Sequence, residues 1–190
     1  MLVVLLCTAI WFKTTYPFGV SHCCWKTLQS ALRAYADAHD GWFPHGGTSP
    51  EASFSMLCSN EPALLSSVHG KTISEETAQK EWAANGRLDS ETCGWHYVEG
   101  LNTNDAGDIA VLWDKSWGLG HNGQRIRGFG REVVFVNGSG RSLLLKDWPQ
   151  FARDQKEKIS KVISARTKGA PPIRWSDEET LGTNRFPSRE

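Results

Sequence analysis

Residues 24–44 read CWKTLQSALRAYADAHDGWFP, and their spacing sets the fold class. Trp25, Leu28, Leu32, Tyr35 and His39 recur at alternating intervals of three and four, which lines one face of a helix with a stripe to bury. Ser21 is the expected N-cap and Gly41 the expected stop, giving a helix over residues 22–40. Because an apolar N-terminus comes before it, the chain reads first as a membrane-proximal helix carrying a small globular head.

Residues 1–12, MLVVLLCTAIWF, carry no charged side chain. As a helix they would reach about 18 Å, short of the roughly 30 Å of bilayer hydrocarbon. They lack the basic start and small-residue cleavage site of a signal peptide, and Leu6 stands before Cys7 where lipidation wants a small residue. Residues 1–20 are therefore expected to be the distal part of an N-terminal membrane anchor, completed through residues 13–20 or by residues upstream. An ordinary buried first element is the alternative. The anchor implies a cell-membrane protein with its head on the extracytoplasmic side.

At 190 residues the chain has room for one domain of about 100–150 residues with appendages. Lys plus Arg and Asp plus Glu both number 21, so charge gives no reason to expect a nucleic-acid partner. Nine Trp residues supply core and rim packing, or else an aromatic binding surface. Cys7, Cys23, Cys24, Cys58 and Cys93 lack the Cys-x-x-Cys spacing of zinc ribbons and thioredoxin-type redox pairs. In an exported head the vicinal pair can bridge to Cys58 or Cys93; Cys24, nearer the apolar stripe, is the preferred contributor. A wholly reduced head stays open.

Beyond the helix, Ser49 and Pro50 open a short helix over residues 51–59, and Pro62 opens another that Gly70 ends. Ser74 caps a third over Glu75–Asn85, closed by Gly86. From Cys93 the pattern turns to strands over residues 94–98, 109–113, 132–136 and 141–145, the last two joined through Asn137-Gly138 as a hairpin. Asp147 caps a closing helix through about Ile163, and residues 164–190 read as a flexible tail, with Trp175 as its one candidate anchor. Helix first and antiparallel strands afterwards is the α+β class, with a head over residues 21–163.

With these residues in hand, the chain resembles bacterial prepilin-like proteins of the type II secretion pseudopilin group, especially those with an H-x9-D-G signature. The resemblance runs from about Cys24 to Phe151. It rests on the stretch from Leu32 to Pro44, on Tyr97-Val98-Glu99-Gly100-Leu101, on Leu112-Trp113-Asp114-Lys115, on His121-Asn122-Gly123 and on residues 131–138. It implies a pilin-like fold, a long N-terminal helix against a three- or four-stranded antiparallel sheet. It also implies a non-catalytic role in secretion or cell-surface assembly, with the membrane and other assembly proteins as partners. The chain departs from the group in lacking a prepilin processing site. Fifteen residues, not nine, separate His121 from Asn137, and Asn137-Gly138-Ser139 replaces Asp-Gly-His.

Two other functions stay in view. A small exported cysteine hydrolase would use Cys93 as nucleophile, His121 as base and Asn122 or Asp114 to orient it, with His96 nearby. A soluble binding module would use exposed Trp residues on sugars or peptides. Residues 102–108 cluster oxygen ligands of the kind Ca²⁺ uses, and calcium binding in the β region of major pseudopilins adds weight to that reading. Yet Ala106 and Trp113 stand where an EF-hand needs ligands, so a polar turn is the expectation. No catalytic, metal or cofactor residue is assigned.

Overall fold

The computed structural model describes residues 2–15, 25–120, 123–128 and 130–182. Helices α1 (Leu2–Thr15), α2 (Trp25–Asp37), α3 (Pro50–Ser55) and α4 (Leu57–Asn60) come first, followed by α5 (Leu65–Val68) and α6 (Glu75–Asn85). Strands β1 (Trp95–Glu99), β2 (Ala110–Asp114), β3 (Arg131–Phe135) and β4 (Gly140–Leu143) follow, then α7 (Trp148–Ala165), β5 (Arg174–Trp175) and α8 (Glu178–Leu181). The strands form one antiparallel sheet in the order β4-β3-β2-β1-β5, so the α+β class holds.

Local chemistry sets the boundaries. Ser49 Oγ accepts from the Ala52 N–H at 3.1 Å and Ser74 Oγ from the Thr77 N–H at 3.1 Å, each closing a helix start. Helix α2 stops by a Schellman-type turn in which the Gly41 N–H reaches back to Ala36 O (2.9 Å) with Asp40 at φ +51°. A Cβ on Gly41 would come within 2.7 Å of Thr103 Oγ1, so glycine is needed there twice over. In the β3–β4 hairpin, Asn137 Oδ1 accepts from the Ser139 N–H at 2.8 Å while Gly138 takes φ +78°.

The buried stripe of α2 is Leu28, Leu32 and Ala36, at strict intervals of four. Tyr35 is half-buried and His39 exposed; the two rings stack at 3.8 Å on the flank of the helix rather than under it.

Side chains alternate across each strand, and both faces of the sheet are covered. Towards α3 and α5, Trp95 Nε1 donates to Ser67 O (2.9 Å) and Tyr97 stacks on Phe54 at 5.1 Å. Towards α7, Phe135 meets Phe151 and Trp113 meets Trp148, both at 6.4 Å. Every residue of β2 and β3 is consequently buried. Helix α2 lies against β3 and β4, with the Trp25 ring over Gly140, where a Cβ would come within 2.3 Å.

Three expectations are corrected. Within the tail expected over residues 164–190, residues 173–181 are packed: Ile173, Trp175, Asp177 and Leu181 are buried, Val98 pairs with Trp175, and Ser176 Oγ accepts from the Tyr97 N–H at 3.0 Å, while residues 183–190 lie outside the described residues. The N-terminal membrane anchor is not supported, because among the described residues no helix is long and apolar enough to cross a membrane. Helix α1 has 14 residues, about 21 Å of rise, and residues 16–20 lie outside the described residues. The disulfide is not formed either, since Cys58 and Cys93 are free and enclosed in the core. Cys23 and Cys24, the expected partners, lie outside the described residues.

Candidate functional site

The ends of β2 and β3 carry charges into the interior on both faces of the sheet. On the face towards α5, Lys71 Nζ sits 2.6 Å from Asp114 Oδ2 and 2.9 Å from Glu132 Oε2, all three side chains at most 5% exposed. The Glu132 N–H also donates to Asp114 Oδ2 at 3.0 Å. Burial pushes the Asp114 carboxyl up to about 6 against the pull of Lys71. Burial also opposes the Lys71 ammonium, but the two carboxylates outweigh it and raise its pKa.

On the opposite face, Asp177 is the hub. Its Oδ2 accepts from Trp113 Nε1 at 2.7 Å and lies 3.6 Å from Arg131 and 3.7 Å from His96 Nε2. Its Oδ1 caps α8 by accepting from the Thr180 N–H at 2.9 Å. Burial opposes the Asp177 charge, but His96, Thr180 and Trp113 favour it and hold its pKa below the usual carboxylate value. Burial drives His96 down to about 4, so its ring is neutral at pH 7. The Arg131 guanidinium lies over two indoles, 4.4 Å from the Trp117 centroid and 4.8 Å from Trp148, and donates to Lys115 O at 3.3 Å. A groove of about 440 Å³ opens above it, lined by Trp117, Leu145, Pro149, Ala152, Glu179 and Thr180.

The expected thiol site does not assemble among the described residues. Cys93 is fully buried, its Sγ lies 3.5 Å from Trp95 O, and burial pushes the thiol up to about 12, far from a nucleophilic thiolate at neutral pH. Asp114 is committed to Lys71, while His121 and Asn122 lie outside the described residues. In the 102–108 segment, Asp105 Oδ2 accepts from the Asn102 N–H at 2.7 Å and from Arg166 at 2.8 Å, and Asp108 pairs with Lys158 at 2.6 Å. One carboxylate oxygen each of Asp105 and Asp108 is thus engaged in the turn or an ion pair. Among the described residues no cluster of three or more His, Cys, Asp or Glu is placed to hold a metal.

Lys71, Asp177, Trp117 and Trp148 are not singled out by the sequence, and Arg131 and Glu132 enter it only within residues 131–138 of the resemblance, with no partner assigned. One signal was present: Arg131-Glu132 opens an otherwise apolar strand, and a charge pair at a buried strand end needs partners. Compared with protein families, with curated proteins and with solved structures, the chain matches none.

Proposed function

We propose that the chain is a non-catalytic subunit of pseudopilin type that works by protein–protein assembly in a secretion or cell-surface structure. The observation that carries this reading is α1, which up to Phe12 is free of charge on every side and is exposed: Val4, Leu5, Leu6, Ile10 and Trp11 are 55–66% accessible. The Thr8 and Thr14 hydroxyls turn back onto Val4 O (2.8 Å) and Ile10 O (3.0 Å), so they offer no polar face. A helix apolar all round is stable only when covered. The helices of like subunits are the covering proposed here. The packing of α2 on an antiparallel sheet supports a pilin-like arrangement of the head, and the enclosed Cys93 thiol supports a role without catalysis.

Sedimentation of the full chain at about 100 µM, beside Leu6→Glu and Trp11→Glu, tests the reading. Concentration-dependent oligomers that both substitutions return to monomers are expected. A monomeric full chain, or oligomers indifferent to both changes, overturns it.

A further inference from the structure

The geometry points to the groove above Arg131 as a binding site for a neutral polyhydroxylated ligand, a sugar residue presented by an oligosaccharide. The groove combines a flat apolar floor with fixed polar groups, the usual build of a small-ligand site. Its floor is the half-buried Trp117 indole, with the 69% exposed Leu145 and exposed Pro149 beside it. Leu145 is one of only three exposed large apolar side chains among the described residues outside α1. A pyranose offers a face of C–H groups to such a floor.

The polar side of the groove is prepared in advance. Arg131 is 7% exposed and clamped between two indoles, Asp177 and Lys115 O, yet its buried Nε–H has no hydrogen-bond partner. A buried donor left unpaired is costly, and a ligand hydroxyl reaches it once the groove wall gives by a small amount, the side chain itself being already ordered. Glu179 lines the same groove, is exposed, and has no ion pair among the described residues, and its charge acts on the Arg131 guanidinium, so the groove holds an acceptor as well as a donor. The Trp148 indole N–H is held by Thr180 Oγ1 at 3.3 Å. A hydroxyl, which both donates and accepts, suits Glu179 and Arg131 together.

Charge selects against the other classes. An anion would meet Glu179 at the rim with the Arg131 charge already faced by Asp177, and a cation would be repelled by the Arg131 guanidinium, which lies over one face of Trp117 and of Trp148. The volume of about 440 Å³ suits one or two sugar units.

The test titrates the full chain with maltohexaose, cellohexaose and chitohexaose, read by Trp fluorescence and saturation-transfer NMR. It uses Trp117→Ala and Glu179→Gln, with Glu61→Gln, an exposed carboxylate outside the groove, as control. Binding of at least one of the three below about 10 mM is expected, weakened about tenfold or more by each groove substitution and unchanged by the control. Glu179→Gln guards against a folding defect in Trp117→Ala, since Glu179 is exposed and unpaired among the described residues. No binding by any of the three, binding indifferent to Glu179→Gln, or stronger binding of oligogalacturonate or spermidine overturns the assignment. Because α1 plays no part in the groove, failure here leaves the assembly reading standing, and the reverse also holds.

Discussion

The two faces of the sheet handle buried charge in opposite ways. Towards α5, an ammonium meets two carboxylates in close contact, with Lys71, Asp114 and Glu132 almost inaccessible. Towards α7, a carboxylate, a guanidinium, an imidazole and three indoles meet, the charge pairs at 3.6–3.7 Å, with a donor left over and a groove at the side. A set of charges in close contact specifies packing and little else. An open set retains hydrogen-bonding capacity for something outside the chain.

Removing the Lys71 ammonium is the most damaging way to break this contrast. Lys71→Ala takes from the buried Asp114 and Glu132 the cation at 2.6 and 2.9 Å and is expected to cost about 3–5 kcal/mol in urea unfolding. Asp114→Asn and Glu132→Gln added to Lys71→Met should recover most of that loss. A cost under about 1 kcal/mol for Lys71→Ala would mean that this close contact is not kept in solution.

Acid probes the open face. His96 is held at about 4 against about 6.5 in an unfolded chain, so it is neutral in the fold where the unfolded chain would bind a proton. The stability it contributes is present above pH 6.5 and is lost as pH falls from there to about 4, on the order of 3 kcal/mol in all. Asp177 favours the protonated ring, whereas burial, Lys115 and Arg131 oppose it. Urea midpoints measured between pH 7 and pH 4 should fall less steeply in His96→Gln; an unchanged slope would place the titration elsewhere.

Smaller effects sharpen the picture. Trp113→Phe removes the 2.7 Å donor to Asp177 and is expected to cost about 1–3 kcal/mol, visible as a lower thermal midpoint. Trp117→Ala removes a half-buried indole whose contact with Arg131 is worth about 0.5–1 kcal/mol, so its urea midpoint should stay close to that of the unaltered chain. A large loss there would make Trp117 part of the core and the groove a packing defect.

Much of the scaffold was legible because its signals are local. Ser49 and Ser74 with the N–H groups three residues on, Gly86 in the left-handed region and Asn137-Gly138 between two apolar runs each act within four residues. The α2 stripe was legible in period but not in phase, since small Ala36 goes under the helix while Tyr35 and His39 stack beside it. What could not be read is the partner of each charge. Trp113 and Asp177 lie 64 residues apart, Lys71 and Asp114 43 apart, and no spacing rule joins them. The same distance hid the 171–181 segment, whose prolines and acids look disordered until β1 and Trp113 receive them.

The β5 pairing also sets a schedule for the growing polypeptide on the ribosome. Strand β1 is made before its neighbour β5, and the segment that shields the edge of β1 and gives Trp113 its acceptor is 82 residues behind Glu99 when Leu181 is counted. At about 5–20 residues per second, β1 waits on the order of ten seconds with its outer edge uncovered. During that interval the nascent chain depends on chaperones or on its own helices, not on the finished sheet, to keep that edge from pairing with a stranger.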